Sequence, residues 1–209
     1  MSANEIVRTP LDKNLNGLPR ESMRRSRGCP PSPPVLWSAV ELHQSTPPEP
    51  CYGRYPKGFL AWALGVLRVA GREVLHVCSG GMSQAESLGG TRLGLRAAAA
   101  PDILADGRSL PFADNTWGAV MIDPPYSVEY AECLYGVEYP RPSHLIAEAA
   151  RVVRPGGAVA MLHYLVMPGP KEAPFERLFG VTQGLGYRIR AWTIYRKGSR
   201  SLFDPQDLS

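Results

Sequence analysis

The chain begins without a sustained apolar period. Across residues 1–50 prolines recur, in pairs at Pro30-Pro31, Pro33-Pro34 and Pro47-Pro48, and no face gathers enough hydrophobic positions to pack, which predicts an irregular arm. Within it, residues 35–42 suit one short helix or strand that would pin the arm through Leu36, Trp37 and Val40. The character changes at Gly58. Phe59, Leu60, Trp62, Ala63, Leu64, Val66, Leu67 and Val69 form an almost unbroken apolar stretch closed by Gly71, and this predicts a helix. Val74-Leu75-His76-Val77 then reads as a short strand, Cys78-Ser79-Gly80-Gly81 as a turn, and residues 83–88 as a second helical segment before Gly89-Gly90.

Three further strand candidates follow, at residues 92–95, 102–105 and 118–122, the last ending at Asp123. Residues 145–153 have helical spacing, Pro155-Gly156-Gly157 breaks it, and residues 158–163 are a buried-strand run. A helix at residues 175–183 and two strands, at 187–192 and 193–196, complete the pattern. No internal repeat is visible. Continuous apolar strands separated by helices predict an α/β fold, a mostly parallel sheet with helices on both faces. Ligands of such folds bind beyond the carboxyl ends of the strands, where both Cys78-Ser79-Gly80-Gly81 and Asp123-Pro124-Pro125-Tyr126 fall.

Composition narrows this picture. A length of 209 residues suits one domain, assigned to residues 51–200, with the arm at 1–50 and a short tail at 201–209. The chain is 44% hydrophobic and 20% charged, ordinary for a globular protein, with no apolar run long enough to cross a bilayer. The basic residues near the N-terminus are followed by prolines instead of the apolar core of a signal peptide, so a cytoplasmic location without a membrane partner is expected. Cys29, Cys51, Cys78 and Cys133 are scattered, and His43, His76, His144 and His163 stand at no metal-ligand spacing, so neither a disulfide framework nor a metal is expected. The net charge is +4, and residues 1–34 carry six basic against three acidic residues. A second basic cluster, Arg188, Arg190, Arg196, Lys197 and Arg200, is interleaved with Tyr187, Trp192 and Tyr195. Each cluster suits either phosphate neutralisation or a plain solvated surface.

Asp123-Pro124-Pro125-Tyr126, an acid at the end of a buried strand followed by two prolines and an aromatic, is the candidate for chemistry. Methyl transfer from a sulfonium to an aromatic amine requires the nitrogen lone pair, normally delocalised into the ring, to point at the methyl carbon. A carboxylate accepting one N–H and the carbonyl of the first proline accepting the other would hold the amine in that geometry. Two prolines bring no competing N–H and a restricted φ. The tyrosine ring can stack on a base swung out of its helix.

In this motif and its flanks the chain resembles the class I S-adenosylmethionine-dependent amino-methyltransferases, which carry such a tetrapeptide after their fourth strand. The resemblance runs from about Tyr55 to Lys197 and includes Leu110-Pro111-Phe112, Asp114-Asn115 and Trp117, together with Glu148-Ala149-Ala150-Arg151-Val152-Val153-Arg154-Pro155-Gly156-Gly157. It implies a Rossmann-like fold with S-adenosyl-L-methionine as cofactor. It also implies that Cys78, Ser79 and Gly80 approach the methionine part of that cofactor, that Asp106 lies near its adenine, and that Tyr55-Pro56-Lys57-Gly58-Phe59 lines the methionine pocket, with Tyr55, Lys57 and Asp123 among the cofactor residues.

One departure stands out: the family ends its second strand with an acid that binds both ribose hydroxyls, and here Leu95-Arg96 occupies that stretch, leaving Glu86 or Asp102 as substitutes. The resemblance implies a nucleic-acid base as acceptor, adenine N6 in DNA first and guanine N2 in RNA second. Target reading would fall to residues 127–143, to the arm, or to a protein partner. The competing expectations are a non-catalytic subunit of the same fold and an enzyme methylating a protein amide or a small-molecule amine.

Overall fold

The computed structural model describes residues 39–41, 55–182 and 188–198, and every structural statement below refers to these. Eight strands form one sheet: β1 (Ala39–Glu41), β2 (Val74–Val77), β3 (Thr91–Gly94), β4 (Ile103–Leu104), β5 (Trp117–Ile122), β6 (Val153–His163), β7 (Phe175–Thr182) and β8 (Arg190–Arg196). Two α-helices pack on it, α1 (Phe59–Leu67) and α2 (Pro142–Val152). The strand order is β1-β7-β8-β6-β5-β2-β3-β4, with β8 antiparallel to both of its neighbours and every other pairing parallel. From β2 the chain builds outward through β3 and β4, then returns to β2's other side as β5 and β6. The order therefore reverses at the β2–β5 seam, the topological switch point of a Rossmann-like sheet.

Alternation along β5 shows how one strand serves two cores. Val120 and Ile122 face a cluster with Leu145, Ile146 and Ala149 of α2, while Ala119 and Met121 face Phe59, Leu60, Ala63 and Leu67 of α1. With both faces covered, nothing polar is needed along the strand, and residues 118–122 read as continuous apolar sequence for that reason. α2 begins on Pro142 in its first turn and buries Leu145, Ile146, Ala149, Ala150 and Val152 at helical spacing. α1 is left by Arg68, whose φ of 55° turns the chain out before Gly71 is reached.

Four expectations are corrected. Residues 83–88 form turns instead of a helix, because the Ser83 amide and hydroxyl both donate to Glu86 at 2.7 Å and close the segment locally. Residues 175–183 were expected as a helix, but Phe175–Thr182 is a strand between β1 and β8. There Phe179 sets its ring edge-on to Trp62 of α1 at 5.1 Å and packs against Trp192 at 5.5 Å, and a strand places it in that layer. The two strands expected at 187–196 are one, Arg190–Arg196, with Tyr187 outside the described residues. The helix before Pro155-Gly156-Gly157 does end, at Val152, but the strand expected at 158 starts at Val153, so these three residues lie within β6, where Gly156 takes φ 78° and the register against β5 shifts between Trp117 and Ala119. The short element expected at 35–42 is a strand at Ala39–Glu41, paired with β7; Leu36 and Trp37 lie outside the described residues, as do the rest of the arm and the tail.

The two segments flanking the tetrapeptide are bonded to each other. Glu148 accepts the Leu110 amide at 2.8 Å, while Arg151 donates to the Phe112 carbonyl at 2.9 Å, to Asp114 at 2.7 Å and to Glu148 at 2.7 Å. This network ties the loop entering β5 to α2, and so fixes the strand that carries Asp123.

Candidate active site

β2 delivers the chain to Cys78, whose φ of 58° is a left-handed conformation that costs energy for any residue with a Cβ. Gly80 follows at φ 53°, and the Ser79 amide donates to the Leu93 carbonyl at 3.1 Å. The resulting sharp turn sets residues 78–81 on the edge of a cavity of about 360 Å³ beyond the carboxyl ends of β2, β3, β4 and β5. Gly94, Leu95 and Arg96 leave β3 along another wall, Asp106 and Gly107 follow β4, and Asp123 and Pro125 follow β5. Tyr135, Val137, Glu138 and Pro140 close the side toward α2.

Of the residues singled out in the sequence, Cys78, Ser79, Gly80, Asp106, Asp123 and Pro125 share this cavity. Pro124 is buried and does not line it, and Tyr126 turns away toward β6 and β8. Tyr55 stands behind the motif, its ring 5.4 Å from Phe59 and 6.1 Å from His76. Burial raises the Tyr55 phenol's pKa, helped by the nearby Asp123, Tyr126 and Cys78. Lys57 is exposed in the turn before α1, apart from the cavity wall.

Asp123 is the centre of the polar network. Its amide donates to the Val77 carbonyl at 3.3 Å, fixing the motif to the end of β2. The Tyr126 hydroxyl donates to Asp123 Oδ1 at 2.7 Å, and Arg190 Nη1 donates to the Tyr126 oxygen at 3.2 Å. Burial pushes the Asp123 carboxyl up to about 6, against the opposing pull of Arg190 and the Tyr126 hydrogen bond. A carboxylate of that proton affinity is ionised at neutral pH and still a competent proton acceptor. Burial also pushes the Cys78 thiol up to about 12, so it is a neutral wall group and not a nucleophile. His163, buried at the end of β6, uses Nδ1 to accept the Leu165 amide at 2.9 Å and packs edge-on to Tyr126 at 5.4 Å. His76 is likewise a buried strand residue, its pKa lowered by burial to about 4.

Neither substitute for the missing strand-end acid reaches the cavity wall. Asp102 is held by Arg92 through Nη2 at 2.8 Å, Nε at 3.1 Å and the backbone amide at 2.8 Å, and Glu86 closes its own turn on Ser83. Arg96 stands at the end of β3 instead, its guanidinium 5.8 Å from the Tyr135 ring centre. Asp106 is clasped by Arg108, which also reaches Glu138 at 2.7 Å and bridges two cavity walls. Asp102→Asn should destabilise the fold by about 1 kcal/mol. Arg92 lowers the Asp102 pKa, so this contribution is present above the usual carboxylate range and lost as pH falls. Urea unfolding at pH 7 and pH 3 should show a gap between variant and wild type at the higher pH that narrows at the lower.

The C-terminal basic cluster is largely used inside the protein. Arg196 binds Glu176 at 2.8 Å, Lys197 caps the Ala150 carbonyl at 2.8 Å and bonds Asn115, and Arg190 is only 8% exposed. Arg188 remains exposed, 5.8 Å over the ring of Tyr164, and Arg200 lies outside the described residues. Tyr164 is itself 38% exposed and meets Tyr126 edge-on at 4.7 Å. Sequence reading missed Tyr164 because it follows a strand without any motif, and missed the part Arg190 plays because it was counted as surface charge.

No described helix is long and apolar enough to cross a membrane. No protein-family profile matches the chain, and no curated protein matches it. Among solved structures it is similar to TrmN from Thermus thermophilus (20% identity over 66% of this chain, TM-score 0.48). It is also similar to a Bacillus halodurans protein provisionally named a methyltransferase (19%, 54% of this chain, TM-score 0.39) and to geranyl diphosphate C-methyltransferase from Streptomyces coelicolor (9%, 68%, TM-score 0.47). The chain covers 48% and 52% of the first two and 77% of the third. At these identities and scores the likeness says nothing of activity.

Proposed function

We propose that the protein transfers a methyl group from S-adenosyl-L-methionine to an exocyclic amine of a nucleic-acid base, with adenine N6 in DNA as the first target. The observation that carries this reading is the shared cavity: Asp123 and Pro125 form one wall, and the Cys78–Gly81 turn and Asp106 form others. Groups suited to donor and acceptor would thus meet at the switch point of the sheet.

The residues present suit the cofactor. The cavity's size is that of a small-molecule site. The left-handed turns at Cys78 and Gly80 bring backbone, with no long side chain, against the space where a methionine chain would lie. Residues 94–96 and 106–107 would take the adenosine, the cofactor supplying an electrophilic methyl carbon. Asp123 would then accept one N–H of the target amine, orient the nitrogen lone pair and draw off its proton. Tyr126 donates its hydroxyl to that carboxylate. The exposed ring of Tyr164, with Arg188 over it, suits stacking on an unpaired base.

Arg96 supports a second reading, a methyltransferase-fold subunit with weak cofactor affinity that assists a partner, because a cation replaces the acid expected to bind the ribose. If the ribose lies against the end of β3, Arg96→Glu should tighten S-adenosylmethionine binding about tenfold by offering an acceptor to its hydroxyls. Titration calorimetry reads this directly, and unchanged affinity would remove the ribose from that wall. Methyl transfer from labelled cofactor to DNA, RNA and protein in parallel tests the function as a whole. N6-methyladenine in DNA is expected; N2-methylguanine in RNA, or a labelled protein or small amine, would replace the acceptor while keeping the chemistry. No transfer to any of them, with cofactor bound, would favour the assisting subunit.

A further inference from the structure

Arg190 is the member of the polar network around Asp123 that comes from β8, separated from β5 by β6. It is the first residue of β8, paired across to Val181 of β7, and its neighbour Ala191 pairs with His163 at the end of β6. That register brings its side chain to the edge where β5 ends. It is 8% exposed, Nη1 donates to the Tyr126 hydroxyl oxygen at 3.2 Å, and Nη2 is buried without a hydrogen-bond partner. A buried guanidinium with an unused N–H is expensive. It carries no carboxylate of its own at ion-pair distance among the described residues; the nearest one is reached through the Tyr126 oxygen, 2.7 Å from Asp123 Oδ1.

We propose that Arg190 is a positioning residue for methyl transfer: acting through Tyr126, it holds the Asp123 carboxylate ionised and aimed into the cavity. The inference rests on the function proposed above, with Asp123 as the group that accepts the amine proton.

The surroundings of Asp123 explain why one distant cation is decisive. From the segment before α1 it faces Tyr55, from the end of β2 Cys78, from its own loop Tyr126, and from β8 Arg190. His163 of β6 packs on Tyr126 with its Nδ1 already occupied. Tyr55, Cys78 and Tyr126 are uncharged at neutral pH, since burial raises the pKa of each. Desolvation therefore favours a protonated Asp123, and Arg190 is the one charged group among the described residues that opposes it. Tyr126 is the mechanical link. With the guanidinium on its oxygen, its hydroxyl proton is directed to Asp123 and not to solvent.

The test uses the full-length protein, Arg190→Met and Arg190→Lys, with Asp123→Asn to assign the Asp123 signal. The carboxyl of Asp123 is followed by carbon-13 NMR as pH is varied, and methyl transfer is measured across the same range. In Arg190→Met the Asp123 titration, at about 6 in the wild type, should move upward by on the order of one pH unit. The acidic limb of the transfer rate should move with it, while cofactor affinity stays unchanged. Arg190→Lys should restore much of the shift but less of the rate, because a point charge on a flexible stem keeps the field while holding the Tyr126 oxygen less firmly. An Asp123 titration in Arg190→Met that coincides with wild type overturns the inference, whether or not transfer is seen. The NMR readout needs no activity, so a wild type that transfers nothing would sink the proposed function alone. Should Arg190→Met fail to fold, as judged by its melting transition, the same titration in Arg190→Lys and Arg190→Gln decides: coincidence of the Gln variant with wild type counts against the inference.

Discussion

Replacing Asp123 by Asn should lower methyl transfer at least about a thousandfold while leaving S-adenosylmethionine binding within about twofold of wild type. Asn keeps the shape and one acceptor oxygen, but it cannot take a proton from the amine, and its own N–H₂ opposes the target's. The stability effect should have the opposite sign. Burial lifts the Asp123 carboxyl from its ordinary 3.8 to about 6, so the folded state holds this proton more tightly than the unfolded chain does. The favourable contribution is complete below about 3.8 and is lost as pH rises through about 6, which leaves an ionised, poorly solvated carboxylate in the working protein. Asp123→Asn removes that burden and should melt at or above the wild-type temperature at pH 8, with the difference vanishing near pH 3. A variant that is both inactive and clearly less stable at pH 8 would mean that the carboxylate holds the fold, and its loss of activity would then say nothing about proton transfer.

How much of this was legible depends on what each signal requires. β2, β5, the buried half of β6 and α2 were read correctly because their burial is two-sided or strictly helical, and both patterns survive in a single sequence. Residues 175–183 were misread because Leu178, Phe179 and Val181 suit either a helix face or a strand, and the deciding contacts come from Trp62 and Trp192, remote in the chain. Residues 83–88 have helix-compatible composition, yet Ser83 and Glu86 form a closed local turn instead. In the cavity, the glycine turn and Asp123 were found because each follows a strand end that the pattern located, and Asp106 through the resemblance. Lys57 was named through the resemblance and stands in solvent. Arg190 and Tyr164 come from β8 and from the segment after β6, and only strand pairing brings them to the end of β5. Sequence spacing holds no trace of that neighbourhood. The C-terminal basic cluster was ambiguous for a related reason: Arg190, Arg196 and Lys197 are drawn inward by partners that no local pattern announces.

Tyr126→Phe should cost methyl transfer about a hundredfold, which revises what the motif alone suggests. If the ring only stacked on the acceptor, phenylalanine would serve as well. The structure gives the hydroxyl two partners, donating to Asp123 at 2.7 Å and accepting from Arg190 at 3.2 Å, and spends the ring edge-on against His163 and Tyr164. Deleting the oxygen removes a hydrogen bond to a charged acceptor, which contributes about 1.5–3 kcal/mol. It also leaves the buried Arg190 with neither of its terminal nitrogens paired. The effect should fall on kcat and not on KM for the acceptor, because the hydroxyl touches the carboxylate and not the base. Tyr164→Ala should do the reverse, raising KM by roughly the 1–3 kcal/mol of one stacked base while kcat is held. Steady-state kinetics on one DNA substrate separates the two. A Tyr126→Phe enzyme with wild-type kcat would return Tyr126 to the stacking role and leave the hydroxyl as a structural contact.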